Sequence, residues 1–411
     1  MKIAIIGGGA AGLTTAYLLD KVHAVTVFEK RPILGGNVRT LGKNVAIDTL
    51  PAGVIIDNGV IEFQRDHFVN FHKLLDQLGV PTEKVIGGGS SSLYLANGQH
   101  ILGPGVVIAS KPKLLARARA YGKLLRVWPA YRRIQKQAAA PISSLRDKPT
   151  SDFLNDHDDW HVWQKMLLMY GYSIPYQQIG DFPAEIALPL LGQSKMGTVW
   201  TRIVGGVYTY MEKILAALSG EVHVDVSIRS IQRNDAGVEI TFASGEQQQF
   251  DKVLFATPPD QVLALLSDPS EQERQHFAAW RPNHATTVIH TDTSMYQPYG
   301  VTTYSEFDVF QKDKLGDAGY NAYLNRLCGL PETAPHYNLA YNLMDRIEPE
   351  QIIQTQNHHT PLYTTEALHH RTAVIATNGT NHTYHAGAWL DNGLHEGAIN
   401  SALAVKRLFG C

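Results

Sequence analysis

The chain has 411 residues, a formal net charge of −2 and a hydrophobic content of 44%. This length exceeds one typical core and indicates two domains, and the near-zero charge gives no indication of nucleic-acid binding. The two cysteines, Cys328 and Cys411, predict neither a disulfide framework nor a metal site. The chain opens on a strand-like segment rather than a charged leader, and no apolar run reaches the roughly 18 residues of a transmembrane helix. We expect a cytoplasmic protein without a metal ion, and the sequence leaves its oligomeric state open.

The first forty residues carry the strongest pattern. The short β-branched run Ile3–Ile6 opens directly into glycines, which predicts a buried parallel strand. Gly7, Gly9 and Gly12 follow with the G-x-G-x-x-G spacing. Their missing Cβ atoms permit a tight turn, close approach of a pyrophosphate, and close packing of the next helix. That helix would begin near Ala10, where free N–H groups and the helix dipole favour an anion.

Glu29 ends the second predicted strand, seventeen residues after Gly12 (29 − 12). At this position a carboxylate can accept hydrogen bonds from the hydroxyls of a ribose. It disfavours a 2′-phosphate, so NADP is the least suitable dinucleotide. Strand, glycines, helix and acid in this order predict a bound dinucleotide rather than a purely structural turn.

Two further segments resemble the flavin-dependent amine oxidase superfamily. Residues 29–40, EKRPILGGNVRT, resemble its second glycine pair, and residues 383–401, TYHAGAWLDNGLHEGAINS, resemble its closing flavin motif. The resemblance implies that the cofactor is FAD. It also implies that Arg39 and Thr40 lie near phosphate and flavin, and that the backbone of Ile228 holds the adenine. With the glycine turn, the predicted cofactor-binding residues are Gly7, Gly9, Ala10, Ala11, Gly12, Glu29, Lys30, Gly35, Gly36, Asn37, Arg39, Thr40, Ile228, Gly387, Ala388, Gly397 and Ala398.

The same resemblance implies an α/β fold. A Rossmann-like FAD-binding domain of the glutathione-reductase or amine-oxidase type would carry an α+β substrate domain inserted in two pieces. The predicted FAD-binding domain comprises residues 1–75, 196–260 and 371–411, and the predicted substrate domain comprises residues 76–195 and 261–370.

More narrowly, the fragments 290–292 and 325–327 resemble a bacterial branch of predicted FAD/NAD-binding proteins linked to fatty-acid modification. The run at 169–172 resembles the flavin-dependent polyunsaturated fatty-acid isomerases.

A basic segment occupies the first predicted piece of the substrate domain. Residues 84–146 contain eleven Lys or Arg and no Asp or Glu. Within the helical segment at about 110–137, apolar residues recur with one-face spacing at Leu114, Ala118, Tyr121, Leu125 and Trp128. Two interpretations stay open. The apolar stripe packs on its own domain, or Lys111–Lys136 forms a basic amphipathic surface for an anionic membrane or an acidic carrier protein. The second would place a cytoplasmic protein peripherally at the inner membrane surface.

The second piece of the substrate domain has strand-like content at residues 284–293, 300–305 and 322–327, which predicts a sheet over the flavin. The histidine pairs His358-His359 and His369-His370 have no nearby acid of ligand spacing. We predict that they lie in a solvated loop rather than in a metal site.

Two departures from the amine oxidases bear on the substrate. Those enzymes carry an aromatic cage residue just after the glycine that corresponds to Gly393, and this chain has Leu394 there. Many also carry a flavin-facing lysine in the strand that corresponds to residues 284–292, which contain no lysine. We therefore expect an FAD-dependent oxidoreductase or isomerase that moves a hydride between flavin N5 and a lipophilic substrate. Desaturation or double-bond isomerisation of a fatty-acyl or polyene chain is the preferred reaction. Amine oxidation is the alternative, and non-catalytic lipid binding, as in the related GDP-dissociation inhibitors, is a remoter one.

Three residues are candidates for a proton-transfer role beside the flavin: Glu62, His395 and Glu396. Each also has an ordinary alternative role in positioning the flavin or capping the last helix, so the sequence assigns no catalytic residue. Leu394 is the candidate for contact with the substrate.

Overall fold

A computed structural model of the chain describes residues 1–85, 90–103, 108, 113–154, 159–193, 198–313, 317–331 and 333–410. The strands are β1 Lys2–Ile6, β2 Ala24–Phe28, β3 Arg39–Leu41, β4 Ile56–Asn58, β5 Glu62–Gln64, β6 Thr82–Lys84, β7 Ser91–Tyr94, β8 His100–Ile101, β9 Trp200–Ile203, β10 Glu221–His223, β11 Ile228–Asn234, β12 Gly237–Phe242, β13 Gln247–Phe250, β14 Lys252–Phe255, β15 Arg281–His290, β16 Phe307–Gln311, β17 Ala318–Tyr323, β18 Asn338–Tyr341, β19 Ile352–Leu362 and β20 Thr383–His385. The α-helices are α1 Ala10–Leu19, α2 Val69–Gln77, α3 Leu114–Ala138, α4 Ile142–Leu145, α5 Asp159–Tyr172, α6 Ala184–Gln193, α7 Tyr208–Ala217, α8 Val262–Leu265, α9 Glu271–Ala278, α10 Leu324–Leu327, α11 Thr365–Ala376 and α12 His395–Leu408.

A parallel sheet forms the first layer. In the described part of the chain it has five strands, in the order β10-β2-β1-β14-β20. At its centre Ile5 of β1 lies opposite Val27 of β2 and Leu254 of β14, and all three side chains are buried. Continuous apolar strands of this kind suit a parallel sheet that is covered on both faces. The sheet confirms the predicted Rossmann-like α/β fold, and its strands all come from the three segments predicted for the FAD-binding domain.

A larger mixed sheet forms the second layer. Among the described residues its seven strands follow the order β19-β15-β18-β17-β16-β7-β8. Strands β7 and β16 pair in parallel, and every other pair of neighbouring strands in this sheet is antiparallel. These strands come from residues 91–101 and 281–362, within the two predicted pieces of the substrate domain. The exact domain boundaries stay a prediction. No helix in the described part of the chain is long and apolar enough to cross a membrane.

Two predicted strands in the second sheet are wrong. Residues 300–305 form no strand, because side chains satisfy their backbone groups instead: Arg326 donates to the carbonyl of Tyr304 at 2.5 Å, and the N–H of Ser305 donates to Asp308. Residues 322–327 are strand only as far as Tyr323 and then turn into α10. There the Asn325 side chain accepts a hydrogen bond from the N–H of Tyr337 and ends the regular ladder.

The predicted solvated histidine loop is also wrong. His358 and His359 lie in β19, paired with Ala285 and His284 of β15, and His369 and His370 lie in α11. His358 is buried, its ring Nε2 is 2.8 Å from Thr287 Oγ1, and burial lowers its pKa to about 4. The polar residues of β19 are compatible with a strand because one of its faces is partly exposed. Within the described ranges no group of three or more His, Cys, Asp or Glu is arranged to hold a metal ion.

Candidate functional site

The main cleft lies at the carboxyl ends of the parallel strands and has a volume of about 650 Å³. Ligands of open α/β sheets bind at this edge. The loops after β1, β2, β14 and β20 all reach the cleft. Of the predicted cofactor-binding residues, those that line it are Gly7, Gly9, Ala10, Ala11, Glu29, Lys30, Gly36, Asn37, Ile228, Gly387, Ala388 and Ala398.

The glycine turn forms the floor of the cleft. Gly7 has φ +110°, and a Cβ there would lie 2.7 Å from the carbonyl oxygen of Ala256. A Cβ at Gly12 would overlap the carbonyl oxygen of Gly7, so Gly12 allows α1 to pack against the turn. Helix α1 starts at Ala10 with no side chain capping its N-terminus. Its first N–H groups and its dipole are therefore suited to an anionic group.

Glu29 lies where the second strand meets the glycine turn. Its two carboxylate oxygens accept hydrogen bonds from the N–H groups of Gly8, at 2.8 Å, and Arg31, at 2.9 Å. Each oxygen keeps a further lone pair, so the carboxylate can still accept from ribose hydroxyls. Gly36 lies across the cleft floor, and a Cβ there would come within 3.1 Å of the Gly9 Cα.

Five predicted cofactor-binding residues lie behind the lining: Gly12, Gly35, Arg39, Thr40 and Gly397. Buried Arg39 donates to the carbonyl oxygens of Leu34 and Val38, and its burial lowers its pKa to about 10. The hydroxyl of Thr40 donates to Asp57 at 2.5 Å. These contacts shape the loops around the cleft.

The closing segment forms the opposite wall. Gly393 has φ +77° and packs against the rings of Tyr172 and Tyr363. Leu394 is the N-cap residue of α12, and its Cδ2 would lie 3.4 Å from a Cβ at Gly171. The cleft wall here is made by Leu394, Tyr172, Tyr363 and Trp389.

Sequence reasoning missed several lining residues. Ala256, Thr257 and Pro258 follow β14, and their position just after a buried strand of the parallel sheet was a usable signal. Tyr363 follows β19 of the other sheet, and only the tertiary structure brings it to the cleft.

The three acid–base candidates have different environments. The ring of His395 packs against Phe63, Phe71 and Tyr210, with centroid distances of 5.6, 4.5 and 5.6 Å. Burial lowers its pKa to about 3, which makes it a neutral ring that lines the cleft. Glu396 is not directed to the cleft lining. Its carboxylate accepts from the N–H groups of Asn70, at 2.8 Å, and Phe71, at 2.9 Å, so it caps α2 rather than its own helix.

Glu62 is buried on β5 and is not among the residues that line the cleft. Burial raises its pKa, and the nearby carboxylate of Glu306 raises it further. Its Oε2 has no hydrogen-bond partner among the described residues. Burial and the neighbouring Glu306 carboxylate both favour the protonated form of Glu62.

The cleft also fits FAD by its unpaired polar atoms. Thr257 Oγ1, Trp389 Nε1 and His395 Nε2 are buried, belong to residues that line the cleft, and have no hydrogen-bond partner in the described part of the chain. Buried polar groups are normally paired, so these atoms are suited to a polar group that occupies the cleft. An uncapped helix N-terminus, a carboxylate at Glu29 with free acceptor lone pairs, and polar atoms of this kind match the parts of a dinucleotide.

The fold and the cleft define a flavin-dependent oxidoreductase. The chain belongs to the flavin-containing amine oxidoreductase family, whose model matches residues 10–293. Its cofactor is accordingly FAD.

Solved structures of the same fold include two enzymes named for different substrates. The CLA-producing fatty acid isomerase from P. acnes is 17% identical with a TM-score of 0.69, over 99% of this chain and 98% of that one. Wild-type putrescine oxidase bound to putrescine is 14% identical with a TM-score of 0.68, over 100% of this chain and 99% of that one. At these identities the likeness shows the fold alone.

A shorter sequence match is to the chloroplastic/chromoplastic zeta-carotene desaturase of Zea mays. It is 54% identical over 39 residues, which are 9% of this chain and 7% of that protein.

Proposed function

We propose that this FAD enzyme moves a hydride between a fatty-acyl or polyene chain and the flavin, either returning it to the same chain as a double-bond isomerase or keeping it as a desaturase. The observation that carries the proposal is the wall at Leu394. An aliphatic side chain there, beside Gly171, gives the cleft an apolar surface that suits a hydrocarbon chain. The similarity in fold to a fatty acid isomerase and the short match to a carotene desaturase support the same substrate class.

The residues of the chain would bind and orient the substrate. When bound, FAD supplies the hydride acceptor. Leu394, Tyr172 and Tyr363 form the wall that holds an apolar chain and excludes water. His395, which lines the cleft, has a lowered pKa because it is buried, so its uncharged ring is favoured there.

Of the two reactions, the site favours isomerisation. Desaturation removes a hydride and a proton, so it needs a base. The raised pKa of Glu62 favours its protonated acid over the carboxylate base, the lowered pKa of His395 makes its neutral ring a weak base, and the carboxylate of Glu396 is occupied by two backbone N–H groups. Isomerisation returns the hydride to another carbon of the same chain, so it needs neither a base nor an external electron acceptor.

Amine oxidation is the second candidate. The rings of Tyr172 and Tyr363 lie 5.7 Å apart with an interplanar angle of 66°, and aromatic faces attract ammonium groups. The similarity in fold to putrescine oxidase agrees with this alternative.

Anaerobic mixing separates these reactions. For an isomerase, linoleic acid should perturb the flavin spectrum, and the shifted double bond should accumulate over many turnovers without an added acceptor, as measured by gas chromatography that separates the positional isomers. A desaturase would stop after one reduced flavin. Leu394→Tyr should lower acyl turnover more than flavin content, and Leu394→Met, which conserves volume, should retain most of the turnover. Fast flavin reduction by putrescine or benzylamine, with no response to any acyl chain, would replace the proposal with amine oxidation.

A further inference from the structure

Helix α3, Leu114–Ala138, exposes the apolar stripe that the sequence identified. The exposed fractions are 80% for Leu114, 49% for Tyr121, 71% for Leu125 and 43% for Trp128, and the neighbouring Leu115 is 63% exposed. The interpretation that this stripe packs on its own domain is therefore wrong. Large apolar side chains in a contiguous exposed row indicate an interaction surface.

The opposite side of α3 holds the helix in place. Ala120, Ala130 and Ile134 are buried, and the helix packs against α5 and α6. The Gln135 side chain donates to the carbonyl of Leu191 in α6 at 3.2 Å. Small side chains over much of this buried side let α3 pack closely on α5 and α6, so the packing of the helix does not require the exposed stripe.

The stripe is accompanied by positive charge. Arg119, Lys123, Arg126, Arg132, Arg133 and Lys136 are all exposed. None of these six forms a salt bridge with a residue in the described ranges, although Lys123 donates to the carbonyl of His100. Lys111, the first residue of the predicted basic surface, lies outside the described residues. With about 3.6 residues per turn, Arg132 and Lys136 lie on the same side of the helix as the apolar stripe, whereas Arg119, Lys123 and Arg126 lie on the other side, and α3 contains no acid.

A direct structural connection joins α3 to the cleft. Tyr131 of α3 stacks on Trp128 at 5.3 Å and contacts Trp160 of α5 edge-on at 5.7 Å. From Trp160, α5 continues to Tyr172, which lines the cleft. Twelve residues of α-helix span about 18 Å. Helix α5 therefore links α3 to the cleft wall, because Trp160 near its start contacts α3 and Tyr172 at its end lines the cleft.

We propose that the exposed face of α3 is a docking surface for an anionic lipid bilayer. Leu114, Leu125 and Trp128 enter the boundary between headgroups and acyl chains, while Arg132 and Lys136, on the same side of the helix, contact lipid phosphates. A basic helix with Leu and Trp on one exposed side has the composition of helices that lie in a membrane interface. A symmetric contact with a second copy of α3 would bring these cations against one another, and the shortage of acids leaves them unpaired there.

Vesicle sedimentation of the FAD-loaded protein tests the proposal. Vesicles of equal parts phosphatidylcholine and phosphatidylglycerol should bind the protein, phosphatidylcholine vesicles should bind it at least about fivefold more weakly, and 0.5 M salt should reduce the difference, because exposed charges are screened over about 8 Å even at physiological ionic strength. The indole of Trp128 should shift its fluorescence to the blue on binding, and Trp128→Phe should remove that shift.

Two double variants probe the charge and the apolar stripe. Arg132→Glu/Lys136→Glu should abolish the preference for anionic vesicles, and Leu114→Ser/Leu125→Ser should weaken binding to both kinds. The matched control Lys213→Glu/Arg274→Glu makes the same change in net charge at exposed positions on other helices and should bind like the wild type. Flavin absorbance and melting temperature establish that each variant is folded.

Three results would overturn the proposal. Equal binding of the wild type to anionic and neutral vesicles, or binding to neither, removes the anionic bilayer as the partner. A dimer in sedimentation velocity that Leu114→Ser/Leu125→Ser dissociates assigns the stripe to a second copy of the chain. A complex with a purified acidic acyl-carrier protein, lost in Arg132→Glu/Lys136→Glu while vesicles stay unbound, assigns it to a protein partner. None of these measurements depends on turnover, so they are independent of the proposed reaction.

Discussion

At the scale of single residues, Gly9 differs from the other two glycines of the turn, because the fold itself does not require a glycine there. Gly7 has positive φ, and a Cβ at Gly12 would overlap Gly7, so the protein itself needs both glycines. Gly9 has φ −87°, which any residue adopts, and a Cβ there would meet only Gly36, at an ordinary 3.6 Å. The protein would therefore accept a small side chain at Gly9. The space that a larger one would fill is the cleft.

We predict that Gly9→Val folds but loses FAD, because the β-branched side chain occupies the approach path of the pyrophosphate. The flavin-to-protein absorbance ratio should fall more than about tenfold, which corresponds to at least about 1.4 kcal/mol of binding. Circular dichroism should stay close to that of the apoprotein. Gly122→Val, at a helical glycine with no atom near its Cβ position, is the control and should stay yellow. A yellow Gly9→Val protein would contradict the assignment of this turn to the pyrophosphate.

At the scale of elements, one carboxylate joins two helices that are far apart in the chain. Glu396 lies in the first turn of α12 and accepts from the N–H groups of Asn70 and Phe71 at the start of α2. Those N–H groups belong to the first turn of α2, which has no side-chain cap from Phe68. The carboxylate therefore holds the last helix of the chain against α2, beside the cleft.

We predict that Glu396→Ala destabilises the protein by about 1 to 3 kcal/mol, because two buried N–H groups lose their acceptor. The denaturation midpoint of the flavoprotein measures this loss. Glu396→Gln, which keeps one acceptor oxygen, should lie between Ala and the wild type.

The matched control for this change is Glu366→Ala. Glu366 is an exposed first-turn acid of α11, where Thr364 already supplies the cap, so its removal should change the midpoint little. A Glu396→Ala protein with an unchanged midpoint and no turnover would identify Glu396 as a catalytic residue instead.

At the scale of the whole molecule, the cleft is assembled from segments that are distant in sequence. Its lining comes from residues 6–38, 171–173, 226–228, 256–265, 359–363 and 387–398. A cofactor that contacts all of these segments binds the folded chain and not the unfolded one. Binding therefore adds to the stability of the whole molecule.

We predict that removal of FAD lowers the melting temperature, and that FAD at one hundred times its Kd restores about 2.7 kcal/mol. Thermal scans of the apoprotein at increasing FAD concentration measure the effect. FMN, which lacks the adenosine half expected near Ile228, should stabilise the protein less. Equal stabilisation by FMN would mean that the adenosine part of the cleft, at residues 226–228, contributes nothing.

The cofactor-binding half of the protein could be predicted from the sequence. Glycine spacing, the acid after the second strand and the closing segment each depend on local chain geometry. A missing Cβ has the same steric effect, and a carboxylate at a strand end accepts the same hydrogen bonds, whatever the later course of the chain. Most residues predicted from these motifs line one cleft. Arg39 and Thr40 do not, because the Arg39 side chain donates to the carbonyl of Leu34 and the Thr40 hydroxyl donates to Asp57.

Other features were decided only by the tertiary structure. The spacing of Leu114, Tyr121, Leu125 and Trp128 determined that these residues share a helix face, but periodicity alone does not say whether a face meets the protein or the solvent. Likewise, Tyr363 reaches the cleft and Glu396 caps α2 through contacts between residues far apart in the chain. The sequence by itself determined the buried strands, the glycine turn and the acid of a dinucleotide site, because these follow from local sterics and hydrogen bonding, and its resemblance to the flavin-dependent family implied FAD. Which side chains complete the cleft wall, and which face of α3 is exposed, follow from long-range packing, which local patterns do not encode.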